Sequence, residues 1–141
     1  MSEITFQMLL HCHYSGDDNT IDLLQVEHLV DDSWVKLDLN IQTPGFDVFT
    51  YGILTCQHMY FRNNATEYGL VLKSSEGLIT IITDEHRSID TLNVEFNGKL
   101  KSGKPTRDIV NTIAARMNLC PASINLKDIP NNHVSVSFET V

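Results

Sequence analysis

A chain of 141 residues, 42% of them hydrophobic, can bury a core unaided, so one domain spanning 1–141 is expected. The formal net charge of −8 arises in the first half: residues 1–61 hold nine Asp and Glu against Lys36 alone, and residues 62–141 hold nine of each sign. Affinity for a phosphate backbone comes chiefly from Lys and Arg, so no nucleic-acid partner is expected. Apolar runs fall short of the roughly 18 residues of a membrane span and the N-terminus lacks a basic region, so a cytoplasmic chain with no membrane partner is expected.

In the first 42 residues apolar side chains recur at every second position: Ile4, Phe6, Met8 and Leu10, then Val35, Leu37, Leu39 and Ile41. A period of two is that of a strand with one buried face. The turn chemistry of residues 15–20 (SGDDNT) and 31–33 (DDS) links these strands into an antiparallel meander. At TPGFD the pattern changes. Thr43 can cap a helix, Pro44 suits its first turn, and the run to about Tyr68 meets no further proline before Gly69. One long helix is predicted. Its first half (Phe46, Val48, Phe49, Tyr51, Ile53, Leu54) is apolar nearly all round, a pattern that needs cover on most sides. A second copy of the chain is the simplest cover, so a homodimer is expected.

Strand signals return at LVLK, at GLITIITD and at LNVEFNGKL; GKLKSGKP reads as a loop. Residues 106–120 then read as a second helix, with Thr106 as cap and a stripe of Ile109, Val110, Ile113, Ala114 and Met117. HVSVSFETV alternates and closes the chain as a strand. The element order is that of an α+β domain.

Three cysteines, at 12, 56 and 120, are too few, odd in number and too widely spread for a secreted disulfide scaffold. Free or redox-active thiols are expected instead. Cys56 sits deep in the long helix, beyond reach of the terminal dipole, with Gly52 one turn earlier leaving space above the sulfur. Cys120 precedes Pro121, which pushes it out of the helical region and suits the start of a new turn. It is thus placed to cap a short helix over ASINLKDI, where unpaired N–H groups favour a thiolate. Against this stands the ordinary role of a free cysteine as a small buried hydrophobe.

The segments P-x-x-x-V-F-x-x-G-x-x-x-C (Pro44 to Cys56), A-T-E-Y-G-L (Ala65 to Leu70) and L-C-P-A-S (Leu119 to Ser123) resemble the OsmC/Ohr superfamily of osmotically inducible and organic hydroperoxide resistance proteins. The resemblance implies an OsmC-like intertwined homodimer with long central helices in its middle. It also implies a thiol-dependent peroxidase in which Cys56 attacks an organic hydroperoxide and Cys120 closes a disulfide, reopened by a dithiol reductant such as a lipoyl group. No cofactor is implied. Peroxidase members carry an arginine in the N-terminal portion and a glutamate soon after the helix proline. This chain has no arginine before Arg62, and the glutamate position falls on Phe46. Asp47, beside it, is the candidate carboxylate; Arg116, one turn before Cys120, is the candidate cation for both sulfurs. The alternative is a non-catalytic dimeric binding protein of the same fold, whose interface pocket takes a small apolar ligand.

His11 and His13 share one face of a strand with Cys12 on the other, and two imidazoles fall short of the three or four ligands of a zinc site. His58, two residues after Cys56, points elsewhere on the helix, as does Arg62; Met59 and Tyr60 flank the Cys56 face as packing. Phosphate-loop, serine-nucleophile and paired-carboxylate signatures do not occur.

Overall fold

The computed structural model describes residues 3–141. Its strands are β1 (Ile4–Ser15), β2 (Thr20–Val30), β3 (Ser33–Lys36), β4 (Val71–Thr83), β5 (Ile89–Ser102) and β6 (Asn131–Thr140). Its helices are α1 (Gly45–Glu67), α2 (Arg107–Met117) and α3 (Pro121–Ile124). The strands form one sheet in the order β3-β2-β1-β4-β5-β6. All neighbours are antiparallel except β5 and β6, which run parallel. The return to parallel is made through α2 and α3, the kind of long crossover such a pair requires. The architecture is α+β, as the sequence predicts.

Alternation sets the buried face. Met8, Leu10, Cys12 and Tyr14 of β1, Ile79 and Ile81 of β4, and Leu92, Val94, Phe96 and Leu100 of β5 point inward against α1. From α1, Thr50, Ile53, Leu54, Gln57, His58, Phe61 and Ala65 meet them at helical spacing. Phe96 lies between α1 and the sheet, stacked on Phe61 (centroids 5.0 Å apart) and His58 (6.0 Å). Gly77, opposite Phe96 on β4, leaves room for that ring: a Cβ there would stand 2.4 Å from it. At the other end, buried Asn19 in the β1–β2 turn ties three elements. Its Nδ2 donates to Thr66 Oγ1 and to the Leu70 carbonyl, and its Oδ1 accepts from the Leu72 N–H at 2.7 Å. Asn19 takes a positive φ of 58°, a conformation its short amide tolerates.

Several boundaries differ from the sequence reading. The strand expected to run through Leu39 and Ile41 ends at Lys36. After one further bond, Leu37 N–H to the Val26 carbonyl, the Asn40 and Thr43 side chains capture backbone N–H groups and turn the chain, leaving Ile41 fully exposed. Thr43 is spent there, so Pro44 holds the cap position of α1 with no side-chain cap. LVLK and GLITIITD are one strand, and the expected loop at Gly98 continues β5 to Ser102, because Leu100 is buried opposite Leu72. Thr106 caps α2 as expected, accepting from the Ile109 N–H.

Candidate functional site

Cys120 is buried, 0% exposed. Met117 ends α2, Pro121 starts α3, and Cys120 between them adopts extended geometry (φ −61°, ψ 147°) as the cap of α3. Its Sγ accepts the Ser123 N–H at 3.3 Å. The predicted cap is therefore present, although α3 is a single turn rather than the whole of ASINLKDI. With a single turn, α3 sums little dipole, and the contact at this sulfur is the local N–H donor.

Cys56, partly exposed on α1, faces the start of α3. Its thiol meets the backbone N–H of Ala122 and the Cys120 thiol, and no disulfide joins the two sulfurs. Burial pushes the Cys56 pKa up, the neighbouring Cys120 adds to that push, and the Ala122 N–H opposes it. Among the described residues no cation acts on this thiol. The sulfur borders a groove of about 510 Å³ lined by Phe49, Gly52, Ile53, Pro121, Ala122 and Leu126, among others. Gly52 leaves the space the sequence suggests: a Cβ there would touch nothing within 4 Å.

The two charged candidates are elsewhere. Arg116 bonds through Nη1 to Asn64 Oδ1 at 3.0 Å and to Glu67, and its guanidinium lies over the Tyr68 ring, 5.2 Å from the centroid. Asn64 follows Cys56 by eight residues, about 12 Å along the helix. Within one chain Arg116 does not meet the thiols: its side chain is drawn to the acidic, aromatic C-terminal end of α1. Asp47 lies about 13 Å down the helix and half a turn round from Cys56; it faces His28 Nδ1 at 3.6 Å. Within one chain it does not meet the thiols.

Other side chains form a polar knot beneath α1. Tyr14 Oη bonds to His58 Nε2 at 2.7 Å and to Ser75 Oγ at 2.6 Å, all three buried. Burial, aided by the Arg62 charge, lowers the His58 pKa to about 4, so the ring is neutral. Burial raises both the Tyr14 and Cys12 pKa. His58 points away from Cys56, as its spacing implies. His11 sits between Glu27 (3.1 Å) and Glu76 (2.9 Å), and among the described residues no group of three His, Cys, Asp or Glu is arranged to hold a metal.

Two polar residues stand beside the thiols: Gln57, which no sequence motif marks, and Ser123, the last residue of L-C-P-A-S. Gln57, 0% exposed, donates from Nε2 to Ser123 Oγ, and its Oε1 is buried with no hydrogen-bond partner among the described residues. The available signal was an amide next to Cys56 within an otherwise apolar run.

No protein-family profile matches the chain, and no curated protein matches it by sequence. Solved structures match it by shape. An OsmC-like protein from Mycoplasma pneumoniae aligns with a TM-score of 0.54 at 11% identity, covering 93% of this chain and 95% of that one. An OsmC-like hydroperoxide resistance protein from Jannaschia sp. aligns at 0.57 and 9% identity, covering 88% and 87%. A hypothetical protein from Aquifex aeolicus aligns at 0.54 and 8% identity, covering 94% of each chain. At these identities the likeness establishes the fold: the chain is OsmC-like in architecture, as its motifs imply.

Proposed function

We propose that the protein is a thiol-dependent peroxidase that reduces organic hydroperoxides through Cys56 and Cys120. The observation that supports this reading is the Cys56 thiol, bordering an apolar groove, next to the buried thiol of Cys120, both of them free. In the first step the Cys56 thiolate attacks the outer peroxide oxygen. The O–O bond breaks, an S–O bond forms, and the alkoxide leaves and takes a proton. The resulting sulfenic acid is attacked by the Cys120 thiol, releasing water and forming the disulfide. A dithiol, such as a lipoyl group, then reduces that disulfide to two thiols and is itself oxidised to its own disulfide. The groove suits an alkyl or aryl hydroperoxide better than hydrogen peroxide.

The reading includes a homodimer. Val48, Phe49 and Met59 leave an exposed apolar stripe along α1, and Val30, Trp34 and Val35 of the N-terminal hairpin are exposed nearby in sequence. A second copy laid along α1 would cover that stripe and narrow the groove. Sedimentation equilibrium tests this; a monomer at micromolar concentration refutes it.

One observation favours the second reading, a dimeric binding protein for a small apolar ligand: the Cys56 thiol is raised and no cation among the described residues opposes that shift. One equivalent of cumene hydroperoxide followed by disulfide mapping separates the two. Formation of the Cys56–Cys120 bond within seconds supports the peroxidase; slow oxidation that also reaches Cys12 supports the binding protein.

A further inference from the structure

Ser123 touches both halves of the thiol site. Its backbone N–H donates to Cys120 Sγ, and its Oγ accepts from the amide of Gln57, the residue after Cys56 on α1. Between them, the Ala122 N–H faces the Cys56 thiol. The turn that carries Cys120 is therefore pinned to α1 by a side-chain bond one residue from Cys56. We propose that Gln57 is a positioning residue: its bond to Ser123 holds the Cys120–Ser123 turn against α1 and so sets the approach of the two sulfurs.

Packing alone does not account for this side chain. A wholly buried amide with its Oε1 unpartnered is costly, and a leucine of similar volume would fill the space without that cost. The turn is otherwise held by its contacts with Cys56 and by packing of Ala122 and Leu126 against the core. It is short, Pro121 supplies no N–H, and Ile124 and Leu119 are exposed. Pinning fixes one arrangement of Cys56, Cys120 and the Ala122 N–H in place of several. Preorganisation of this kind raises the effective concentration of one thiol at the other.

The inference rests on the Cys56–Cys120 pair of the preceding section, and its test does not use peroxide. The full-length protein is equilibrated in reduced and oxidised glutathione, and the Cys56–Cys120 disulfide constant is measured by mass spectrometry, with Cys12 mapped in the same digest. Oxidised glutathione takes the two electrons of the protein dithiol and becomes two reduced glutathiones. Gln57→Leu and Ser123→Ala are each expected to lower the constant about tenfold, the scale of one buried hydrogen bond. Ser123→Thr, which keeps the hydroxyl, should retain the wild-type value. The double variant should be no worse than either single, because both remove the same bond. Thermal melts identify any variant that fails to fold, and the Thr variant keeps the question open to test in that case. An unchanged constant in either single variant, additive losses, or a wild type that never forms this disulfide overturns the proposal. Wild-type protein that forms the disulfide with glutathione but not with cumene hydroperoxide would refute the peroxidase and leave the positioning role standing.

Discussion

Substituting Cys120 separates its two jobs, cap and thiol. The sulfur accepts a buried N–H from Ser123 at 3.3 Å, and Cys120→Ala removes that acceptor while leaving the donor enclosed. Loss of a cap costs about 1 kcal/mol, within a range of roughly 0.5–2; the long bond to sulfur argues for the lower half. Unfolding entropy near 2.1 cal/mol/K per residue gives a chain of this size about 0.3 kcal/mol/K, so Tm should fall by about 3 °C. Cys120→Ser keeps an acceptor at the same place, and serine is among the better caps, so its Tm should stay within about 1 °C of wild type. Neither variant can close the disulfide. After one equivalent of cumene hydroperoxide each should therefore accumulate a Cys56 sulfenic acid that dimedone traps, whereas wild type should escape the label. Differential scanning calorimetry under reducing conditions and mass spectrometry provide the two readouts. Equal melting temperatures for the Ala and Ser variants would refute the cap, and an unlabelled Cys120→Ser protein would refute resolution by this thiol.

Further expectations follow from the same geometry. Gly52→Leu projects into the groove beside Cys56, so oxidation by cumene hydroperoxide should slow at least tenfold more than oxidation by hydrogen peroxide; equal slowing in stopped-flow traces would show that the groove does not select the substrate. Burial places the Cys56 pKa above its ordinary value, so its alkylation rate by iodoacetamide should still be climbing with pH past about 8.5, and a plateau near neutrality would contradict the environment described. Arg116→Ala should leave that profile unmoved and cost no more than about 1 kcal/mol, since Arg116 and Glu67 form a half-exposed ion pair; a shifted profile would restore Arg116 to the site. His58, with its pKa lowered to about 4 from 6.5, contributes stability that is full above pH 6.5 and drains away as pH falls toward 4, on the order of 3 kcal/mol at most. Urea midpoints at pH 7 and 4.5 should differ less in His58→Gln than in wild type.

The strands were legible where one face is buried by the chain itself: Met8, Leu10, Leu92, Val94 and Phe96 alternate because α1 covers them. Alternation misled at Leu39 and Ile41, where nothing in the chain supplies a face to bury and the side chains of Asn40 and Thr43 take the backbone instead. The cap at Cys120 followed from a local rule about the residue before proline and was recoverable from two letters. Arg116 was not, because spacing along its own helix cannot reveal that Asn64, Glu67 and Tyr68 wait on another. Gln57 escaped for the same reason: its meaning lies in Ser123, 66 residues away in sequence.

The parallel seating of β6 beside β5 has a consequence for biogenesis. Residues 103–130, which include Cys120 and carry α2 and α3, form the crossover that joins β5 to β6, and non-local pairings of this kind slow folding. As a nascent chain emerges, Cys12 and Cys56 are synthesised well before Cys120 exists. An oxidant met at that stage would find Cys12 and Cys56 without Cys120, so the proposed pairing of Cys56 with Cys120 has to wait until α2 and α3 have been made.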